Sequence, residues 1–245
     1  MSKCPRSDSQ NHSNINIQRQ RILTASTQFQ TEHTNSILTR NCIIKMATPI
    51  PPEQSIHPYQ TSSELEPYKI PINTYISQNS DHLVGVLSAS VIIYRGRVLL
   101  IQRIADDDWP NVWEVPGGVA NDDETILDCA VRELWEETGL RASAVMAMLG
   151  EFEWIDSNSG PSDLPGRGKW KVFIFRWVVD GLDQEQLDIT IDPKEHKAYL
   201  WVSEEEVRSD LCGDVRLEWI SLNQKTTILK AFEQSWTIHG TALQS

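Results

Sequence analysis

The segment that decides the fold lies at residues 118–140 and reads GVANDDETILDCAVRELWEETGL. Turned by about 100° per residue, its bulky apolar side chains fall on one stripe, as on an amphipathic helix packed against a core. The members of that stripe are Ile126, Leu127, Ala130, Val131 and Leu134. We predict a helix over residues 123–138, with Asp122 or Asp123 as its N-cap and with Gly139 ending it in the left-handed conformation.

Three glutamates, Glu133, Glu136 and Glu137, lie on one arc beside this stripe. Like charges at these spacings repel by roughly 0.3 kcal/mol per pair on an exposed face, and partial burial raises that cost. Two interpretations are open: a solvated acidic face, or a site at which a divalent cation offsets the repulsion. Mg²⁺ and Mn²⁺ prefer carboxylate oxygens. Gly117 and Gly118 precede the helix and allow the backbone to approach a ligand closely.

A second charge pattern runs along the same segment. Glu124, Asp128 and Arg132 follow one another at intervals of four residues. Opposite charges at such spacings become neighbours on a helix. We therefore predict an internal ion pair that holds the helix and orients Arg132.

Outward from this helix, the sequence alternates between strand and turn patterns. Residues 83–94 and 98–102 are rich in β-branched side chains and flank a turn at Arg95-Gly96, which predicts a hairpin. Further extended segments are predicted at 113–115, 145–154, 170–179, 187–191 and 198–202, with a Gly/Pro/Ser loop at 157–168, a capping box at 203–206 and a last helix at 222–236. Mixed strands and few helices in this order predict an α+β or α/β/α layered domain.

The composition is that of a globular protein, with 40% hydrophobic and 23% charged residues among 245. The net charge of −12 is uneven, because residues 1–45 hold six of the 22 basic and two of the 34 acidic residues. An acidic surface repels the phosphate backbone, so no nucleic acid is expected as a partner. No apolar run reaches the ~18 residues of a membrane-spanning helix, so no membrane association is expected. The four scattered cysteines fit neither a disulfide framework nor a zinc site.

The N-terminal third differs from the rest of the chain. We predict that residues 1–47 form a disordered basic extension, because polar residues dominate and no apolar period is sustained. Residues 48–80 are predicted to be a linker or a surface-packed segment, and residues 81–240 the folded domain. The extension leaves two localisations open. A transit peptide would direct the protein to mitochondria, whereas a plain tail, or a start at Met46, leaves it in the cytoplasm, which is our prediction.

The segment at 118–140 resembles the Nudix box, G-x5-E-x7-R-E-U-x-E-E-x-G-U with U a bulky aliphatic residue, at every defined position. Those positions are Gly118, Glu124, Arg132, Glu133, Leu134, Glu136, Glu137, Gly139 and Leu140. The likeness to this superfamily covers roughly residues 83–236. It implies an α/β/α sandwich around a mixed sheet, with the box as a loop–helix–loop, so that residues 81–240 would be a Nudix hydrolase domain.

The resemblance also implies an activity. Nudix enzymes typically hydrolyse a nucleoside diphosphate linked to another moiety X, giving a nucleoside monophosphate and phospho-X or pyrophosphate. The expected cofactor is Mg²⁺, with Mn²⁺ as a possibility, because divalent cations neutralise the diphosphate and lower the pKa of the attacking water. We expect a small-molecule nucleotide substrate, with nucleoside triphosphates slightly ahead of nucleotide sugars. The alternative is a non-catalytic Nudix-fold module that binds nucleotides or proteins. The oligomeric state is left open.

Residue roles follow from the matched positions of the box. The metal ligands implied are Glu133, Glu136, Glu137 and the Gly118 carbonyl. The residues implied to orient the box are Glu124, Arg132 and Gly139. The catalytic residues implied are Glu133, Glu137 and Glu195, with the general base open between Glu133 and Glu195; Glu195 is alternatively a metal ligand or an ordinary surface acid.

Four further residues are weaker candidates. His196, which follows Glu195, is either a base or phosphate contact, or a solvated loop histidine. Arg103 is either a phosphate contact or a surface arginine. Trp109 and Trp113, like Trp154 and Trp170, are expected to border the cleft, where an indole ring either stacks on a nucleobase or packs in the core.

Overall fold

The computed structural model describes residues 57–79, 83–155 and 168–233, together with the backbone of two short strands near the C-terminus. The predicted extension at 1–47 and most of the predicted loop at 157–168 lie outside the described residues. Within the described part of the chain, no helix is long and apolar enough to cross a membrane.

The chain forms short helices around one seven-stranded sheet. The helices are a 3-10 helix at Ser63–Tyr68, α1 (Ile72–Gln78), α2 (Ile126–Thr138), α3 (Glu204–Ser209) and α4 (Leu222–Glu233). The strands of the sheet are β1 (Leu83–Tyr94), β2 (Arg97–Arg103), β3 (Trp113–Glu114), β4 (Gly117–Val119), β5 (Ala142–Ile155), β6 (Lys169–Val179) and β7 (His196–Ser203). Two separate two-stranded ribbons consist of β8 (Leu211–Cys212) with β9 (Val215–Arg216), and β10 (Trp236–Ile238) with β11 (Thr241–Leu243).

The sheet is mixed. Its strands follow the order β3-β2-β1-β6-β5, with β4 also pairing with β1 and β7 with β2. β1 and β6 run parallel, whereas the pairings of β1 with β2 and β4, of β2 with β3 and β7, and of β5 with β6 are antiparallel. The predicted hairpin of β1 and β2 is confirmed, and it turns at Arg95 and Gly96, both at positive φ.

Both faces of the sheet are covered, because its central strands carry apolar side chains on either side. On β1, Ile92 contributes to one hydrophobic core and its neighbour Val91 to another. The first core also contains the apolar stripe of α2, and the second contains Val207 of α3 and Ile228 of α4. Such runs of apolar residues are typical of strands buried on both faces. The predicted α/β/α sandwich with a mixed sheet is thus confirmed.

The helix α2 begins later than the sequence predicts. Its N-cap is Thr125, whose Oγ accepts a hydrogen bond of 3.1 Å from the Asp128 amide, so the predicted caps Asp122 and Asp123 are wrong. At its other end, Gly139 adopts a φ of 68° and the Gly139 amide donates to the Trp135 carbonyl, which confirms the left-handed cap.

Two other elements differ from prediction. Residues 187–191 form irregular backbone rather than a strand, because the Thr190 amide bonds to the Thr138 carbonyl at the end of α2, at 2.9 Å, instead of to a neighbouring strand. The last helix ends at Glu233, and Trp236 already belongs to β10. The capping box that opens α3 is confirmed, with Ser203 and Glu206 bonded reciprocally.

Residues 57–79 pack against the sandwich. Leu65 of the 3-10 helix and Ile72 of α1 are buried in the same core as α2. The Tyr68 ring lies edge-on between Phe173 and Phe175, with ring centroids 5.6 and 5.2 Å away. The domain boundary at residue 81 stays a prediction, but part of the segment before it contributes core side chains.

Candidate active site

The candidate active site lies where the box helix α2 meets the edges of β3, β4 and β7. Glu137 of α2 is almost fully buried, and its Oε2 accepts a hydrogen bond of 2.7 Å from the Gly117 amide of β4. His196 at the start of β7 places its Nε2 3.2 Å from Glu114 Oε1 and 3.7 Å from Glu137 Oε1. Three elements that are distant in sequence therefore bring two carboxylates and an imidazole together.

Glu195 reaches the same centre from the exposed side. Glu137, Glu195 and His196 each offer one ligand atom, and these atoms lie within 4.8 Å of one another. The turn before β7 holds Glu195 in place, because Asp192 Oδ1 accepts from the Lys194 amide and the Glu195 carbonyl accepts from the Ile104 amide, at 2.9 and 3.0 Å. This group can hold a metal ion.

Arg132 forms hydrogen bonds with several residues of the box. Its guanidinium binds Glu124 through Nε and through Nη2, the latter 3.0 Å from Oε2. Nη1 lies 2.7 Å from both Glu133 Oε1 and Glu136 Oε2, and Nη2 donates to the Val119 carbonyl at 3.0 Å. The structure thus pairs Glu124 with Arg132, as the resemblance to the box implies. Asp128, which a spacing of four residues places beside Arg132, instead accepts a hydrogen bond from the Tyr59 hydroxyl.

Of the predicted metal ligands, only Glu137 belongs to the metal-competent group found among the described residues. Glu133 and Glu136 are turned toward Arg132 instead. Gly118 lies against Glu133, since a Cβ built on Gly118 would come within 2.5 Å of Glu133 Oε1. The Gly118 carbonyl accepts the Cys129 thiol at 3.6 Å. A larger residue at position 118 would therefore require the Glu133 carboxylate to move.

The carboxyls of the box are shifted by burial. Burial raises the pKa of Glu133 to about 7, although Arg132 opposes the shift. Burial, followed by the charges of Glu114 and Glu133, raises the pKa of Glu137 well above its usual range, although the Gly117 amide opposes the shift. Desolvated carboxylates with like-charged neighbours require a compensating cation to remain ionised. The donor set therefore fits a divalent cation, which accepts carboxylate oxygens.

The guanidinium of Arg103, on β2, is hydrogen-bonded to two acidic side chains. Its Nε and Nη2 bind the two carboxylate oxygens of Asp107, at 2.9 and 2.6 Å, and its Nη1 binds Glu114 at 2.8 Å. Sequence reasoning missed Glu114, which is 6% exposed and links Arg103 to His196. The available signal was an acid between two apolar residues, Trp113 and Val115, in an extended segment, where alternate side chains face opposite ways.

The tryptophans divide into buried and accessible ones. Trp113 is only 1% exposed and belongs to the core, so of its two alternatives the structure shows core packing and not a ring accessible to a base. Trp109 is 45% exposed, and its ring lies edge-on to Trp154 with centroids 6.2 Å apart. Trp154 in turn lies 6.3 Å from Trp170, which covers Gly85 so closely that a Cβ there would clash with the indole. These three rings form an aromatic row, in which Trp154 lies on β5 and Trp170 on β6.

A sequence model of the NUDIX domain matches residues 86–221, more than half of the chain. The chain therefore belongs to the Nudix family. The match contains the whole box and every strand from β2 to β9, while residues 57–79 precede it.

Several known proteins are similar to this chain. It is 33% identical over 101 residues to the m7GpppN-mRNA hydrolase NUDT17 of Bos taurus, covering 38% of this chain and 32% of that protein. It is 32% identical over 113 residues to the RNA pyrophosphohydrolase of Agrobacterium fabrum, covering 45% and 65%. The chain thus spans less than two thirds of the length of either relative. Among solved structures, the MutT protein of Methanosarcina mazei superposes with a TM-score of 0.46 at 21% identity, over 61% of this chain and 92% of that one.

Proposed function

We propose that this protein is a divalent-metal-dependent pyrophosphohydrolase that cleaves a nucleoside diphosphate linked to a further group. The observation that carries the proposal is the position of Glu137. A carboxylate in the Nudix box is buried against the Gly117 amide, with ligand atoms of Glu195 and His196 within 4.8 Å. Leaving a buried carboxylate beside other acids is costly unless a cation is bound, and a bound divalent cation is what the cleavage of a diphosphate requires.

We assign the following roles to Glu195 and to the residues of the box. Glu137 and Glu195 hold Mg²⁺, or Mn²⁺ in its place, with Glu133, Glu136 and the Gly118 carbonyl as further ligands. The bound metal neutralises the diphosphate and lowers the pKa of the attacking water. Glu124 and Arg132 fix the box.

The general base is Glu195 or Glu133. The exposure of Glu195 supports it, since solvent water reaches its carboxylate directly. Glu133 is held by Arg132 at 2.7 Å. Arg103 stays a predicted phosphate contact, and such a contact requires Asp107 or Glu114 to release one of its nitrogens.

The substrate class that we favour is a small nucleotide, with nucleoside triphosphates ahead of nucleotide sugars. A second candidate is the 5′ end of an RNA, because the two relatives are named as an mRNA hydrolase acting on m7GpppN ends and as an RNA pyrophosphohydrolase. The net charge of −12 favours the small nucleotide, since an acidic surface repels a long phosphate chain. Localisation in the cytoplasm, or in mitochondria, stays a prediction.

The first test replaces Glu137 by glutamine, which keeps the size of the side chain and removes its charge. We expect Mg²⁺-dependent product release to fall by at least about 100-fold, as when a group essential to charge stabilisation is lost, while the melting temperature is kept or rises because a buried charge is removed. The panel contains nucleoside triphosphates, nucleotide sugars, dinucleoside polyphosphates and capped or triphosphorylated RNA ends.

The matched control for Glu137→Gln is Glu205→Gln, an exposed acid on α3, for which we expect unchanged activity. Full activity in Glu137→Gln would contradict the role of the buried carboxylate. If no substrate of the panel is cleaved but nucleotides still bind, the non-catalytic module becomes the better interpretation.

We also propose that the aromatic row of Trp109, Trp154 and Trp170 contacts the nucleobase. The exposure of Trp109 supports this. Its backbone amide also donates to Asp107 Oδ1 at 2.9 Å, and the same carboxylate binds Arg103, which fixes the loop. Base–aromatic stacking contributes roughly 1–3 kcal/mol, so Trp109→Ala is expected to raise KM about tenfold with little change in kcat. Trp109→Phe, which keeps a stacking face, should restore most of the affinity. An unchanged KM in Trp109→Ala would exclude this contact.

A further inference from the structure

A segment that precedes the residues matched by the NUDIX model is hydrogen-bonded to the start of the box helix and to the loop before it. We call residues 57–79 the strap. Its Ile72 amide donates to the Glu124 carbonyl at 2.8 Å, and Pro71 forms a backbone bridge with Thr125, the N-cap of α2. Its Tyr59 hydroxyl donates to Asp128 Oδ1, also at 2.8 Å. The strap therefore contacts the loop before the box helix, the cap of that helix and its first turn.

The strap is itself anchored to the sheet. The Gln60 amide donates to the Ser143 carbonyl at 2.8 Å, and the Gln60 carbonyl accepts from the Val145 amide at 2.9 Å, so this end of the strap pairs with β5. The Tyr59 ring packs edge-on against Trp177 of β6, with centroids 5.2 Å apart. A segment bonded both to the sheet and to the box can fix the position of one against the other.

The contact at Glu124 is linked, through a chain of hydrogen bonds, to other acidic residues of the box. The strap holds the backbone of Glu124, and the side chain of Glu124 holds Arg132. Arg132 in turn binds Glu133 and Glu136. The Asn121 amide closes the same loop by donating to Glu124 Oε2 at 2.9 Å. A displacement of Glu124 would thus be passed to two carboxylates of the box.

We infer that the strap is a positioning part of the active site, which acts through the Ile72–Glu124 and Tyr59–Asp128 hydrogen bonds to set the Arg132 network and, through it, the metal-binding carboxylates. This rests on the proposed metal-dependent function. A strap that only covered apolar surface would affect stability alone, whereas a positioning strap also affects metal affinity and kcat in the folded protein.

The Ile72–Glu124 bond can be removed with little disturbance of the backbone. Ile72 is the first residue of α1, where proline is tolerated because its amide has no partner within the helix. The preceding Pro71, at φ −58° and ψ 140°, already has the extended conformation that a residue before proline requires. Ile72→Pro removes the donor along with the isoleucine side chain, and Ile72→Ala removes the side chain but keeps the donor. The difference between these variants measures the bond.

The experiment uses the full chain and three readouts, namely Mn²⁺ affinity by electron paramagnetic resonance, amide exchange of residues 119–125, and kcat with KM. We expect Ile72→Pro to bind Mn²⁺ about fivefold more weakly than Ile72→Ala, the scale of one lost hydrogen bond. Exchange at Asn121 and Glu124 should be faster, and kcat lower at an unchanged KM. Equal values in the two variants, within twofold, would overturn the inference even where both melt at lower temperature than the parent.

Tyr59→Phe supplies a second, milder test, because it removes only the hydroxyl and keeps the ring against Trp177. We expect weaker Mn²⁺ binding and lower kcat than in the parent. The matched control is Tyr75→Phe, in the same strap, whose hydroxyl has no hydrogen bond to the box helix in the part of the chain that the structure describes. Equal effects of the two variants would overturn the inference. Amide exchange is measured without turnover, so a parent protein that hydrolyses nothing would refute the proposed function and still leave this test decisive.

Discussion

Glu124 shows how one residue of the box combines a structural with an electrostatic role. Burial raises the pKa of its carboxyl, but hydrogen bonds from Arg132 and from the Asn121 amide outweigh burial, so the pKa lies below its ordinary value of 4.5. The folded protein therefore favours the ionised form. The ion pair contributes its full stability above the pKa of the unfolded chain, and that contribution is lost as the pH falls through the lower, folded value.

Because the pKa of Glu124 is lowered by folding, we can predict how the stability of the metal-free protein depends on pH. At pH 6, Glu124→Gln should lower the free energy of unfolding by about 2 kcal/mol, the scale of a hydrogen bond to a charged group. Below pH 4.5 the difference between parent and variant should shrink, because the parent loses its ion pair while glutamine does not titrate. Urea unfolding in EDTA at a series of pH values measures the difference in unfolding free energy at pH 6 and its decrease at lower pH. Parallel stability curves for parent and variant would contradict the assigned ion pair.

At this scale, the sequence predicts partners that are near in the chain better than partners that are distant. The pairing of Glu124 with Arg132 is implied by the matched positions of the box, and both residues belong to one continuous segment of 23 residues. Glu114 has no such relation to Arg103 or His196, which come from different strands. Only the pairing of β2 with β3 and β7 brings these residues together, and no local pattern specifies that register.

At the scale of the element, the sequence before the box helix contains several residues that could serve as its N-cap. Asp122, Asp123 and Thr125 are all residue types that cap helices well. The structure selects Thr125, and the strap explains the selection, because Ile72 binds the Glu124 carbonyl and Pro71 pairs with Thr125 in extended backbone. A tertiary contact from more than fifty residues away in the chain thus decides the boundary, which is why the sequence alone places it too early.

This assignment of the cap can be tested on stability. Thr125→Ala should lower the free energy of unfolding by about 1 kcal/mol, because the Asp128 amide loses its acceptor. Thr125→Ser keeps the acceptor and should be close to the parent. Asp123→Ala, at the exposed position predicted from the sequence, should change stability by less than about 0.5 kcal/mol. Thermal or urea unfolding measures all three, and a larger loss in Asp123→Ala than in Thr125→Ala would favour the earlier cap.

At the scale of the whole molecule, we consider the charge distribution together with the proposed metal centre. The chain carries 34 acidic and 22 basic residues, and the basic excess is confined to residues 1–45. An acidic enzyme binds an anionic substrate through a few bridged phosphates rather than through a basic track. The sequence alone predicts this balance. It does not predict the candidate site itself, because that site depends on how β3, β4 and β7 converge on Glu137.

The distinction between a small nucleotide and an RNA end is therefore best drawn from salt dependence. With free Mg²⁺ held constant, kcat/KM for a nucleoside triphosphate should change less than about fourfold between about 50 and 200 mM salt, the effect of about one released counterion. For triphosphorylated RNAs of increasing length, KM should not fall with length, since residues 46–245 hold 32 of the 34 acidic residues against 16 basic ones and would repel further phosphates. Steady-state kinetics on a mononucleotide, a dinucleotide and a longer RNA measure both. A KM that falls with RNA length, together with a steep salt slope, would reverse the order of the two candidates and make an RNA 5′ end the better substrate.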